Sequence, residues 1–220
     1  IEGWATAAKE GATKGSMTYN TACLKDIYLD NTPILQPNAN SANPQATDYN
    51  YQNVTFIPRF GTSNQVHIPG IQQSSSPISG FPKSCTVANG GVTQQITTTT
   101  VDAVRVTVTF PAIQESTEDG DLLGSSVQLK IQVQYNSGGF SDVITDTVTG
   151  RTGDAYSKDY RVTLDGAFPV DVKVVRVTAD STNASLVNAF LVSGMQELVD
   201  DHQTYADSAY AAITLDSKVI

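Results

Sequence analysis

Cysteine, histidine, methionine and tryptophan are scarce in these 220 residues, at two, two, two and one. Cys23 and Cys85 lie far apart and give neither a zinc knuckle nor a disulfide-dense scaffold. A single bridge between them is possible, but two isolated buried thiols are the favoured reading. With only His67 and His202 available, a two-histidine metal or acid–base site beside Asp200 and Asp201 needs both rings to converge, and their spacing does not suggest it. No apolar run approaches membrane-spanning length. The N-terminus has no signal-peptide core, since Trp4 and Ala5 lead into Lys9 and Glu10. Its abrupt I-E-G-W opening reads as the start of a piece of a longer protein. Charge is sparse and of one sign: 13 basic against 22 acidic residues, a net charge of -9. Such a surface repels phosphate backbones and anionic lipid, so neither nucleic acid nor membrane insertion is expected.

Catalytic patterns are missing too. No serine sits in G-x-S-x-G, and no Ser-His-Asp arrangement is visible in the spacing. The nearest glycine pair to a phosphate loop, Gly120 and Gly124, lacks the following Lys-Ser/Thr. A glycan hydrolase needs paired carboxylates across a cleft, whereas the acids here sit mainly in turns. The expectation is no enzyme and no cofactor.

What is present is alternation. In Val101–Ala112 the side chains of Val104, Val106, Val108 and Phe110 fall on one face, with Arg105, Thr107 and Thr109 on the other. Val127, Leu129, Ile131, Val133 and Tyr135 then alternate with Gln128, Lys130, Gln132 and Gln134. Period two over this length is what half-buried β-strands require. The second strand turns on Asn136–Gly139 and returns through Phe140 to Val148, and Tyr160, Val162 and Leu164 make a further set. Val170, Val172 and Val174 share a face, but Val175 and Val177 fall out of phase. That predicts a β-bulge near Val174–Val175 or a strand buried on both sides.

Elsewhere the pattern is weaker. Ile27–Leu29 reads as a strand before an Asp30-Asn31 turn. Asn53–Ile57 is a short strand stopped by Pro58, and Gln65–Ile68 is another candidate. Residues 36–52 and 72–82 read as polar loops. Val92–Thr97 is extended after a hairpin-type turn at Asn89–Gly91. Leu186–Val199 has some helical spacing, but Ala189–Val192, Ser193 and Gly194 favour a strand. Ala209–Leu215 makes the last strand after a polar break at Asp200–His202. Strands at this spacing, separated by polar turns, predict an all-β antiparallel sandwich.

The order of motifs resembles the tail tip attachment proteins of siphophages, the host-specificity protein J family of phage lambda. The residues that carry the resemblance are Ile1–Gly3, Lys25–Pro33, Arg59–Thr62 with Gln65, and Ile68–Gly70. Val101–Ala112, Asp146–Thr152, Val175–Thr182 and Tyr205–Ala209 follow in the same order. Two departures stand out: the family tends to have proline where this chain has Ala179 and Ala206, and the Asn-rich loop 36–52 looks specific to this chain.

The resemblance implies a fibronectin III or Ig-like sandwich, with a smaller β-rich segment and long loops, inserted into a trimeric hub that closes the tail tube. It divides the chain into an arm to the hub (1–21), a β-rich segment with long loops (22–100), the sandwich (101–179) and closing strands that return to the hub (180–220). It also implies a structural role at the distal end of the virion tail. The implied partners are other copies in a homotrimer, neighbouring tail tip and tail tube proteins, and a host surface receptor. From another class, the competing reading is an adhesin-like or carbohydrate-binding sandwich that uses loops 36–52 and 72–82.

Two clusters remain. Glu115, Glu118, Asp119 and Asp121 around Gly120 carry the hard oxygens calcium prefers, which makes Glu118, Asp119 and Asp121 the calcium candidates; without EF-hand spacing, a solvated hairpin loop is the better reading. Tyr49, Tyr51, Phe56 and Phe60 flank a polar loop, where core or interface packing is favoured over a ligand surface.

Overall fold

In the computed structural model, residues 24–40 and 43–216 are described. The arm expected over 1–21, the Cys23 thiol and residues 217–220 lie outside them. The described chain forms two compact units: one from residues up to Ile71 together with those from Asp201 on, the other from Gln72–Asp200.

The second unit is a sandwich of two antiparallel sheets. One sheet has the order β11-β10-β13-β6, formed by Ser141–Gly150, Ser125–Tyr135, Val170–Arg176 and Val92–Ile96. The other has the order β12-β7-β15-β4: Tyr156–Thr163, Ala103–Phe110, Phe190–Asp200 and Gln72–Pro77, with β5 (Lys83–Cys85) also on β15. A small third sheet joins β14 (Leu186–Val187), β8 (Gln114–Ser116) and β9 (Leu122–Leu123).

The alternation read in β7 and β10 is the core itself. Val104, Val106, Val108 and Phe110 meet Val127, Leu129, Ile131 and Val133 in one cluster, with Val170, Val172, Val174, Phe190 and Met195. Each such side chain contributes about 1.5–3 kcal/mol by leaving water. Outward residues bond to one another: Thr107 to Asp159, Thr109 to Ser157 and Ser193, and Lys130 and Gln132 to Asp142.

Several expectations need correction. No bulge interrupts β13, whose register with β10 is continuous. Its burial alternates through Val170, Val172, Val174 and Arg176, and Val177 lies beyond the strand, exposed. The inward position after Val174 is taken by an arginine, which hydropathy reads as outward. Gln72–Pro77 is a strand, not a loop; as a sheet edge it exposes side chains on both faces, so no alternation marks it. The turn at Asn89–Gly91 is no hairpin, because β5 and β6 lie in different sheets. Gly91, at φ 94°, is required there, since a Cβ would sit 2.3 Å from the Val174 carbonyl oxygen.

The sheets also draw strands from outside 101–179. β4, β5 and β6 precede that span, and β15, central between β7 and β4, follows it. Without β15 the valine face of β7 would lack its neighbour.

The first unit holds β1 (Tyr28–Leu29) paired with β2 (Thr32–Pro33), and β3 (Gln52–Phe60) paired with β16 (Ala209–Asp216). Leu24, Ile34, Leu35 and Ala39 form its buried centre, packed by Tyr49, Tyr51, Val54, Phe56, Ile213 and Leu215. Three of the four aromatics around the polar loop are thus packing residues. Pro58 does not stop β3, which runs on opposite Ala211. A strand with one partner can turn a residue lacking N–H to its open side. Gln65–Ile68 is not a strand, and Val66 is exposed.

Candidate functional site

Of the motifs that carried the family resemblance, those at Lys25–Pro33, Arg59–Thr62, Gln65 and Tyr205–Ala209 build the first unit's loops by bonding side chains to backbone. Lys25 Nζ donates to the carbonyls of Pro37 (2.8 Å) and Ala39 (2.6 Å), tying the Asn-rich loop to the start of the β1–β2 hairpin. That hairpin turns on Asp30 and Asn31, both at positive φ, 47° and 61°. Asn and Asp tolerate this left-handed geometry better than most residues. Asn50 Nδ2 donates to Pro33 O and the Tyr51 hydroxyl to Leu29 O, both at 2.8 Å.

Arg59 spreads its guanidinium over three carbonyls: Val66 (2.6 Å), His67 (2.6 Å) and Pro58 (2.9 Å). Gln65 accepts from the Gly61 amide at 3.0 Å and donates to the carbonyls of Tyr205 and Ser208. Arg59–Thr62, Gln65 and Tyr205–Ala209, remote in sequence, therefore form one knot. Two planar donors suit this work, because each fixes several carbonyls at once.

The two histidines do converge, contrary to the expectation from their spacing. Held by the same loops, the rings of His67 and His202 lie 4.9 Å apart, edge to face at 64°. Tyr205 meets Tyr210 in the same manner at 5.4 Å. Nothing in the sequence marked the histidine contact, because it depends on the Arg59 and Gln65 bonds closing the loops. An edge-to-face pair is packing geometry, and among the described residues no group of three or more His, Cys, Asp or Glu is placed to hold a metal.

In the sandwich, Arg176 is the feature hydropathy missed. It is 4% exposed, and its Nη1 and Nη2 donate to the backbone oxygen and Oδ1 of Asn188, both at 2.7 Å. Nη2 also reaches Ala179 O, and the guanidinium lies over the Phe190 ring. Its Nε is 3.2 Å from Asp180 Oδ1. Asp180 in turn accepts from the amides of Val87 and Ala88, and these bonds hold its carboxyl below the usual range, with Arg176 assisting. The Val175–Thr182 motif is thus a clamp between two connections. Cys85 lies alongside as a free buried thiol, pushed up to about 11 by burial.

The remaining candidates are dispersed. Glu115 is on β8 opposite Leu123, while Glu118, Asp119 and Asp121 occupy the turn closed by Thr117, whose hydroxyl accepts from the Asp121 amide. Asp200 pairs with Arg161, and its amide donates to Asp102, so it is a structural acid at the end of β15. Asp201 accepts from the Gln203 amide.

Comparison with known proteins follows this geometry. The family model for the FNIII-A domain of tip attachment protein J matches residues 84–201. Tip attachment protein J of Escherichia phage SECphi4 is 33% identical over 96% of this chain, and that of Escherichia phage SECphi27 is 27% identical over 89%. The chain spans only 18% and 16% of those two proteins. Among solved structures, the receptor binding domain of spike protein P1 from bacteriophage PM2 aligns with a TM-score of 0.33 and 13% identity, covering 56% of this chain and 93% of that one. A structure titled "CBM4 structure and function" aligns at 0.26 and 12%, covering 77% and 84%. Superpositions this loose carry no argument. The family match does: this all-β chain belongs to the tip attachment protein J family, structural and non-enzymatic proteins of the phage tail tip.

Proposed function

We propose that this chain is a hub-associated module of the tail tip, in which the sandwich is an insertion carried by the first unit. The observation behind this reading is the chain path. The sandwich is one continuous segment, Gln72–Asp200, while the first unit is assembled from both sides of it. The segment enters and leaves through adjacent antiparallel strands, with Gln72 opposite Asp200, and Asp201 N donates to Ile71 O at 2.7 Å. Entry and exit side by side let an insertion be gained without breaking the fold that carries it.

The role that follows is scaffolding. The outward faces of β7 and β10 are occupied by their own hydrogen bonds, and the motifs around Lys25, Arg59, Gln65 and Asp180 serve loop closure. Partners on this reading are other copies in a homotrimer and neighbouring tail tip and tube proteins, with attachment to the host receptor as the assembly's task. An image reconstruction of the phage tail tests it. Density for Gln72–Asp200 is expected at the closed end of the tube, and density remote from that end would overturn the reading.

A further inference from the structure

An edge strand leaves a row of backbone N–H and C=O groups unpaired, which another strand can take up. In the sandwich these rows are guarded. β11 skips Val143 in its register with β10, and its Asp146 pairs with Lys158 of β12, so a bulge and an ion pair blunt both edges on that side. β4 skips Gln73 and ends on Pro77, and β6 is only five residues long. Bulges, charges, proline and short strands all discourage pairing with another chain.

β16 of the first unit has none of these guards. It runs eight residues, Ala209–Asp216, and among the described residues it pairs with β3 alone. From Ala209 to Leu215 it carries no charge and no proline, and its register with β3 is unbroken to Thr214. Pro58 of β3 has no N–H to give, so its pair with Ala211 is of the non-hydrogen-bonded kind. Ala211 and, two residues on, Ile213 therefore turn their N–H and C=O away from β3. The sheet is also small. Two strands are fewer than the three or more that a free-standing sheet needs, and Val54, Phe56, Ile213 and Leu215 are only partly buried against the unit's centre.

We infer that the open edge of β16 receives an extended, uncharged strand of tip attachment protein J from outside this segment. The free groups are strand backbone, and strand addition draws its affinity from main-chain hydrogen bonds. An unguarded edge invites aggregation unless it is covered as the protein folds. That favours a strand of the same protein over a partner met later, because attachment gives it a high effective concentration. Protein J has the length to supply one: this chain spans only 18% and 16% of the two relatives. The inference needs the family membership but not the hub position, and either can fail without the other.

The test is hydrogen exchange, read by mass spectrometry on peptides covering 209–215, in the 220-residue chain and in the complete tip attachment protein. Exchange on the order of a hundredfold slower is expected in the complete protein. Ala211→Pro removes an outward N–H, and Ala211→Lys places a charge at an exposed position. In the complete protein both should return the peptide to the rate of the 220-residue chain, whose melting temperature Ala211→Lys should leave unchanged. Equal exchange in the chain and the complete protein would overturn the inference, whether the edge is open in both or already covered in the chain. Protection gained only in the assembled tail would overturn the assignment to protein J. Protection that survives both substitutions would overturn the edge.

Discussion

The two units are held together by different means. The sandwich is organised by side chains that alternate, its valines and leucines meeting across two sheets while polar neighbours pair outside. The first unit has a small buried centre and two-stranded sheets, and Lys25, Asn50, Tyr51, Arg59 and Gln65 tie its loops to backbone carbonyls. Burial scales with apolar area and tolerates change at exposed positions. Staples depend on individual donors, each contributing about 0.5–1.5 kcal/mol. The contrast predicts steep, cooperative sensitivity in one unit and shallow, local sensitivity in the other.

The largest effect should come from Ile131→Asp, which places an unpaired charge at the centre of β10. A loss of roughly 4 kcal/mol or more is expected, with the sandwich's amide resonances collapsing; an unchanged melting temperature would refute the packing described. Arg176→Met should cost about 1–3 kcal/mol in urea unfolding. It removes the buried guanidinium and strands the oxygens of buried Asn188. A smaller change than for Gln65→Ala would show that the clamp is not structural.

Gln65→Ala should cost about 1–2 kcal/mol in the first unit. Hydrogen exchange should rise locally around Gly61 and Ser208 and leave the sandwich protected. Loss of protection across both units would abolish the distinction.

The smallest effects are those of pH. Burial alone would raise the Asp146 carboxyl, but the bonds from Lys158 and Tyr160 override it and hold it below the usual range. The bond from Lys130, then that from Gln132, lowers Asp142. Depressed carboxyls stabilise the fold above their unfolded value, near pH 4, and that contribution is lost as pH falls through the folded value. Melting temperature should therefore decline in acid, less steeply in Asp146→Asn. On the alkaline side, burial raises Cys85 to about 11 and, with Asp146, lifts Tyr160. Their stabilisation is complete below the unfolded values and is lost as pH rises from about 9. Cys85→Ala should flatten the first part of that fall.

Legibility followed the same division. The strands β7, β10 and β12 could be read because one face of each is buried, so hydropathy reports the fold directly. β15 kept some helical spacing because a register shift between Val192 and Gly194 breaks its period. Residues 72–77 could not, because an edge strand buries neither face and leaves no period. β13 was misread at its end because Arg176 fills an inward place that only its bonds to Asn188 and Asp180 make tolerable. The first unit could be read only through motifs; periodicity is silent about Arg59 or Gln65, since their partners are carbonyls of loops.

What the sequence determined by itself was the β class, the alternating core around Val104 and Ile131, and, through ordered motifs, the protein J family. Those follow from local period and residue identity. The tertiary structure alone decided that the sandwich runs from Gln72 to Asp200, that His67 meets His202, and that Arg176 clamps Asn188 and Asp180 beside the amides of Val87 and Ala88. Each of these depends on residues far apart in the chain, and a hydrogen bond between remote residues leaves no mark on either one's neighbours.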